Sequence, residues 1–144
     1  MSDAFSIRDA TIADIPFLVD SNAEMALETE QKTLDRSVLE QGAAALFERR
    51  QRGFYLVAER AGDRVGCLLV TYEWSDWRNG DWWWLQSVYV TPGARRVGVF
   101  RALHAEVETR ALAARDGGNV AQSMPASALA RFALEPCATP GRCP

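Results

Sequence analysis

Histidine and lysine are nearly absent from this chain: His104 and Lys32 stand alone among 144 residues. A single histidine excludes a multi-histidine metal centre. Its place on an expected helix makes His104 a structural or solvent-facing residue rather than a catalytic one. Cysteine is also scarce. Cys67 lies inside an expected strand, while Cys137 and Cys143 lie near the end of the chain. Their spacing fits neither a zinc site nor a disulfide framework, and Cys67 reads as a small buried hydrophobe. There is no excess of basic charge, since 16 Lys and Arg face 19 Asp and Glu for a net charge of −3. That balance argues against general nucleic-acid binding, which needs a basic face. No apolar run approaches the roughly 20 residues that span a bilayer. Met1-Ser2-Asp3-Ala4 lacks the basic and apolar regions of a signal peptide. The expectation is a cytoplasmic protein with no metal, no membrane and no nucleic-acid partner.

What is present is a globular composition, 48% hydrophobic and 24% charged, in a length suited to one domain with its own core. Phe5 to Arg8 reads as a first strand. Thr11 and Asp14 have the form of a capping box, with Asp14 as the alternative cap, before a helix running to about Leu27. A second helix begins at Asp35, with Leu39, Ala43 and Leu46 as its apolar stripe, and Gly53 ends it. Phe54–Arg60, Arg64–Trp74 and Asp81–Val90 alternate as strands separated by turn residues, and pair most simply as an antiparallel meander. A third helix runs from Val99 to about Ala114, with Phe100, Leu103, Val107 and Ala111 on one face. The order is β-α-α-β-β-β-α, an α/β (α+β) fold class.

The sharpest local signal is Ser87-Val88-Tyr89-Val90-Thr91-Pro92-Gly93-Ala94-Arg95-Arg96-Val97-Gly98-Val99-Phe100-Arg101. A β-branched strand ends at a Pro/Gly loop, two arginines follow, and a helix begins at once. The first N–H groups of a helix have no partner, and its dipole adds positive potential, so such a start attracts anions. Arg95 and Arg96 add formal charge there, and Gly98 lets the backbone approach a bulky phosphate. The unit reads as a pyrophosphate cradle; the alternative is a basic surface loop before an ordinary amphipathic helix. Arg95-x-x-Gly98-x-Phe100 resembles the coenzyme A signature of the GNAT N-acetyltransferase superfamily, with Phe100 departing from the usual small last residue. Arg-Arg-x-Gly-Val-Phe-Arg-Ala-Leu and the segment Thr71–Gly80 are similar to a bacterial group of that superfamily. The resemblance covers about residues 5–115.

The resemblance implies a GNAT-like domain over 1–115 and transfer of an acetyl group from acetyl-CoA to a primary amine, on a small molecule or a peptide. It places the pantetheine and thioester against the backbone of Val88 and Val90. It places the pyrophosphate on Arg95, Arg96, Val97, Gly98, Val99, Phe100 and Arg101. The amine must lose a proton before it attacks, so a carboxylate or an ordered water is needed beside it. Glu73 is the preferred candidate over Asp76, with a solvated surface carboxylate as the alternative. Gln86 and Ser87 either orient substrate or sit at a bulge. Trp74, Trp77, Trp82, Trp83 and Trp84 either wall an acceptor pocket or pack on the two faces of the sheet.

Residues 116–144 depart from the family pattern. The tail is rich in Ala, Pro, Gly and Arg and has no strand of convincing length, though Ser127 to Leu134 could form two turns of helix. It is expected to be irregular, with the family's last strands and helix missing or replaced, as a frameshift in a GC-rich gene would leave them. No tyrosine follows Tyr89, so the family's usual proton donor is lacking. Loss of the next strand would leave the edge of Asp81–Val90 unpaired, which favours a homodimer or aggregation. Two further readings follow: a catalytically impaired remnant acting as a ligand- or partner-binding module, and a carbohydrate- or ligand-binding β module built on the tryptophans.

Overall fold

The computed structural model describes residues 4–77, 79–114 and 120–122. Its elements are β1 (Ser6–Asp9), α1 (Ile15–Glu30), α2 (Arg36–Glu48), β2 (Gly53–Arg60), β3 (Asp63–Ser75), β4 (Gly80–Val90), α3 (Val99–Ala113) and β5 (Val120–Gln122). The strands form one sheet in the order β1-β2-β3-β4-β5. The first four strands pair antiparallel, as the alternation in sequence implies, and β5 runs parallel to β4. The β2–β3 turn places both Ala61 (φ 52°) and Gly62 (φ 84°) in the left-handed region, the geometry that matches the twist of a two-residue hairpin.

Side-chain alternation divides the core into two layers. Leu56 and Ala58 of β2, Leu68 and Val70 of β3, and Trp83 and Leu85 of β4 pack against Val99, Leu103, Val107 and Ala111 of α3. On the other face Val57, Cys67 and Tyr89 pack with Leu18 of α1, flanked by Phe17, Met25 and Phe47. The buried stripe of α3 differs from the sequence expectation at its first member. Val99 is buried and Phe100 is only partly so. The reason is Gly66 of β3: a Cβ there would lie 2.9 Å from Val99 Cγ1 and 3.2 Å from the Tyr89 carbonyl oxygen. The missing side chain lets Val99 seat against the sheet, and this fixes where α3 begins.

Asp14 is completely buried, and its role exceeds that of a cap. Its carboxylate accepts from the Thr11 N–H (2.7 Å), from both terminal nitrogens of Arg8 (2.7 and 2.9 Å) and from Arg64 Nε (2.5 Å). These donors, Arg8 foremost, outweigh desolvation and hold its carboxyl well below the usual carboxylate range. The cluster ties β1, the entry to α1 and β3 together.

The tail requires one correction. Val120–Gln122 forms a short strand paired with Trp83, Trp84 and Leu85. A strand after α3 is therefore present and not missing, and the edge of β4 is covered over that stretch. Propensity gave little sign of it, because one valine after Gly-Gly-Asn is a weak strand signal. Pairing is set by the waiting backbone edge of β4. The helix expected over Ser127–Leu134 lies outside the described residues, as does the rest of the tail.

Candidate functional site

Near its C-terminal end β4 is interrupted by a bulge. Cys67 faces Tyr89 across the ladder while Leu69 faces Gln86, so Ser87 and Val88 share the place opposite Leu68. Ser87 takes the left-handed conformation, φ 52°. An extra residue reverses the alternation beyond it. Val88 and Val90 consequently point to the α3 layer, Tyr89 points to the α1 layer, and polar Ser87 stays out of the core. Pairing to β5 ends at Leu85. From Gln86 to Val90, the outer backbone edge of β4 faces no other strand among the described residues.

The chain then turns sharply into α3. The Thr91 N–H donates to the Val65 carbonyl at 2.9 Å, and Pro92–Ala94 make a single 3-10 turn with Ala94 buried beneath it. Arg96 (φ 65°) and Gly98 (φ 97°) are both left-handed, and Gly98 is the N-cap residue of α3. The first helical bond runs from the Ala102 N–H to the Gly98 carbonyl at 3.0 Å, and no side chain caps the helix. A Cβ built on Gly98 meets nothing within 4 Å. Arg96, Val97, Gly98 and Arg101 are exposed around this turn, while the Val99 side chain is in the core.

Arg95 behaves differently from its neighbours. Its Nε donates to the Val90 carbonyl (2.9 Å), and one terminal nitrogen donates to both Glu28 oxygens (2.8 and 3.1 Å). The guanidinium also lies over the Tyr89 ring, 5.5 Å from its centroid. Burial, with Glu28 adding to it, raises the Tyr89 phenol above its ordinary pKa, so it is neutral at physiological pH. Sequence reasoning missed Glu28, and no motif could have supplied it, because the pair is 67 residues apart in the chain.

On the α1 face of the sheet, Gln86 Nε2 donates to Thr71 Oγ1 beside the bulge. The indole nitrogen of neighbouring Trp84 is buried and has no hydrogen-bond partner among the described residues. Glu73 is exposed and lies opposite Trp82. That is five residues, or about 16 Å of strand, from Ser87. The structure thus gathers Val88, Val90 and residues 95–101 at one end of β4 and places Glu73 towards the other. Asp76 is exposed in the hairpin beyond it. Of the tryptophans, Trp83 is buried edge-on against Phe54 and Tyr72, whereas Trp74 and Trp77 are exposed. Cys67 is buried and its thiol is pushed up to about 12 by desolvation, which removes it as a nucleophile. His104 packs on Phe100, with Nδ1 3.7 Å from Glu108. Among the described residues no group of three or more His, Cys, Asp or Glu could hold a metal ion, and no helix is long and apolar enough to cross a membrane.

Residues 17–131 match the model of the acetyltransferase (GNAT) family. Among solved structures, a possible acetyltransferase from Clostridium difficile 630 is 37% identical, with 82% of this chain and 76% of that one covered at a TM-score of 0.70. A predicted acetyltransferase from Clostridium acetobutylicum, solved with acetyl-CoA, is 12% identical, with 84% and 81% covered at a TM-score of 0.71. A GCN5-related N-acetyltransferase from Ralstonia eutropha JMP134 is 15% identical, with 84% of each chain covered at a TM-score of 0.68. The last two likenesses concern the fold. A search of curated proteins found no match.

Proposed function

The chain belongs to the GNAT acetyltransferase family, and from that premise we propose that it transfers an acetyl group from acetyl-CoA to a primary amine. The observation that carries this reading is the turn into α3. An uncapped helix start, a left-handed Gly98 with open space where a Cβ would stand, and two exposed arginines meet at the end of a strand whose outer edge, among the described residues, has no strand partner beyond Leu85. These features fit a ligand with a diphosphate at one end and an amide-bearing arm at the other. When bound, acetyl-CoA supplies the activated acetyl group.

In this reading, the backbone from Arg96 to Arg101 holds the diphosphate, with the Arg96 and Arg101 guanidiniums beside it. An anion at a helix start gains roughly 0.3–1 kcal/mol from the dipole, and up to about 2 where partly buried. Each charge-assisted hydrogen bond adds about 1.5–3 kcal/mol. The backbone of Val88 and Val90 holds the amide arm as a strand partner, and the bulge at Ser87 aims a main-chain N–H at the thioester oxygen. Gln86 and Thr71 flank the acceptor nitrogen on the α1 face. Glu73 stands two residues beyond Thr71 on the same face of β3, about 7 Å along the strand. It serves to take the ammonium proton through an ordered water, or to hold the far end of a long acceptor. The test is a mass-detected acetylation assay over a panel of small amines and peptide N-termini. Acetylated product from any of them supports the reading. Binding of acetyl-CoA with no product from any amine would leave a ligand-binding remnant instead.

A further inference from the structure

Arg95 opens the signature, yet its guanidinium is engaged by Glu28 of α1 and by the Val90 carbonyl. Glu28 sits in the last full turn of that helix. The helix is closed there by a left-handed Gln31 and by the Lys32 N–H on the Ala26 carbonyl, so the carboxylate stands on a fixed platform. Arg95 divides its donors, Nε to the end of β4 and a terminal nitrogen to Glu28, with its plane over Tyr89. Immediately after it the backbone enters the left-handed region at Arg96, a conformation that non-glycine residues hold only when their surroundings impose it. The stretch Arg96-Val97-Gly98, left-handed at its first and last residues, is held on one side by Arg95 and on the other by Val99, buried under Gly66.

We infer that Glu28 of α1 is a positioning residue for the coenzyme-binding turn, acting through Arg95, which serves as a strut and not as a phosphate ligand. The inference rests on the acetyl-CoA reading for its functional consequence, while the strut itself stands on the free protein. It also links the end of α1, which leads into the α1–α2 connection, to the turn that receives the cofactor.

The experiment compares wild type with Glu28→Gln, Arg95→Gln and the double variant. Two readouts are used: backbone amide exchange over residues 95–99 in the free protein, and the KM for acetyl-CoA against kcat. The pair is part-exposed, 42% and 38%, so the expected effects are modest. Glu28→Gln should speed exchange of the turn about two- to fivefold and raise KM by a similar factor. Its kcat should stay within twofold, and the double variant should be no worse than the poorer single one. An unchanged exchange rate overturns the strut, whether or not the protein uses acetyl-CoA. Faster exchange with unchanged KM overturns the positioning role and leaves a purely structural pair. A lower KM in Glu28→Gln, lost again in the double variant, would show that Arg95 is a phosphate ligand held back by Glu28. Absence of acetyl-CoA turnover in wild type would sink the acetyl-transfer reading, and the exchange data would then decide the strut alone.

Discussion

Replacing Gly98 with alanine separates the cost of a backbone conformation from the cost of blocking a ligand. Gly98 has φ 97° and ψ 12°, a region in which an L side chain loses roughly 1–2 kcal/mol. The added methyl group meets nothing within 4 Å, so no packing penalty follows. For a chain of this size each kcal/mol is worth about 2–4 °C in Tm. Gly98→Ala should therefore melt about 2–8 °C below wild type and remain cooperative. Its effect on acetyl-CoA should be larger. The methyl group would occupy the approach of the diphosphate and displace N–H donors worth about 1.5–3 kcal/mol each, so calorimetry should show at least tenfold weaker binding. Gly93→Ala is the control, since its Cβ is also unobstructed and its φ is not in the left-handed range; both Tm and affinity should hold. A Gly98→Ala protein that melts lower but binds acetyl-CoA as tightly as wild type would refute the placement of the diphosphate. One with an unchanged Tm would refute the strained cap.

Further consequences can be measured on stability and reactivity. Gly66→Ala forces a Cβ against Val99 and the Tyr89 carbonyl, and should cost about 1–3 kcal/mol in urea unfolding while also weakening acetyl-CoA binding, because the start of α3 must shift. Asp14→Asn removes a fully buried carboxylate from two arginines that are themselves part-exposed, and should cost about 3 kcal/mol at pH 7. Because the folded-state pKa of Asp14 is depressed, its contribution is complete above the unfolded value near about 4 and drains away as pH falls below it. Tm scans from pH 7 to 3 should accordingly fall more steeply in wild type than in Asp14→Asn. The Cys67 thiol, buried and raised to about 12, should resist iodoacetamide at pH 8 until denaturant is added, as read by peptide mass spectrometry.

Periodicity carried the helices, the meander and the strand–loop–helix turn, because each is written in local spacing: Val-x-Val before Thr-Pro-Gly, then Arg-Arg-x-Gly. The bulge at Ser87 was legible only as an open alternative, since one extra residue leaves no local mark and shows as a register shift against β3. Asp14 was read as a cap, but its arginines come from β1 and β3 and meet it only on folding. Glu28 had no sequence signal at all. β5 was missed for the opposite reason: its pairing depends on the edge it meets more than on its own residues. Glu73 has the right chemistry at the end of a strand, and only the β3–β4 register shows how far it lies from the bulge.

The most direct test of the account is a thermal melt of wild type and Arg96→Ala with and without acetyl-CoA. Arg96 is exposed, and alanine has the same Cβ in the left-handed backbone, so the substitution should leave the Tm of the free protein almost unchanged. Acetyl-CoA should raise the wild-type Tm clearly and the variant's Tm markedly less. A cooperative melt that acetyl-CoA does not move, in wild type as in the variant, would contradict the account.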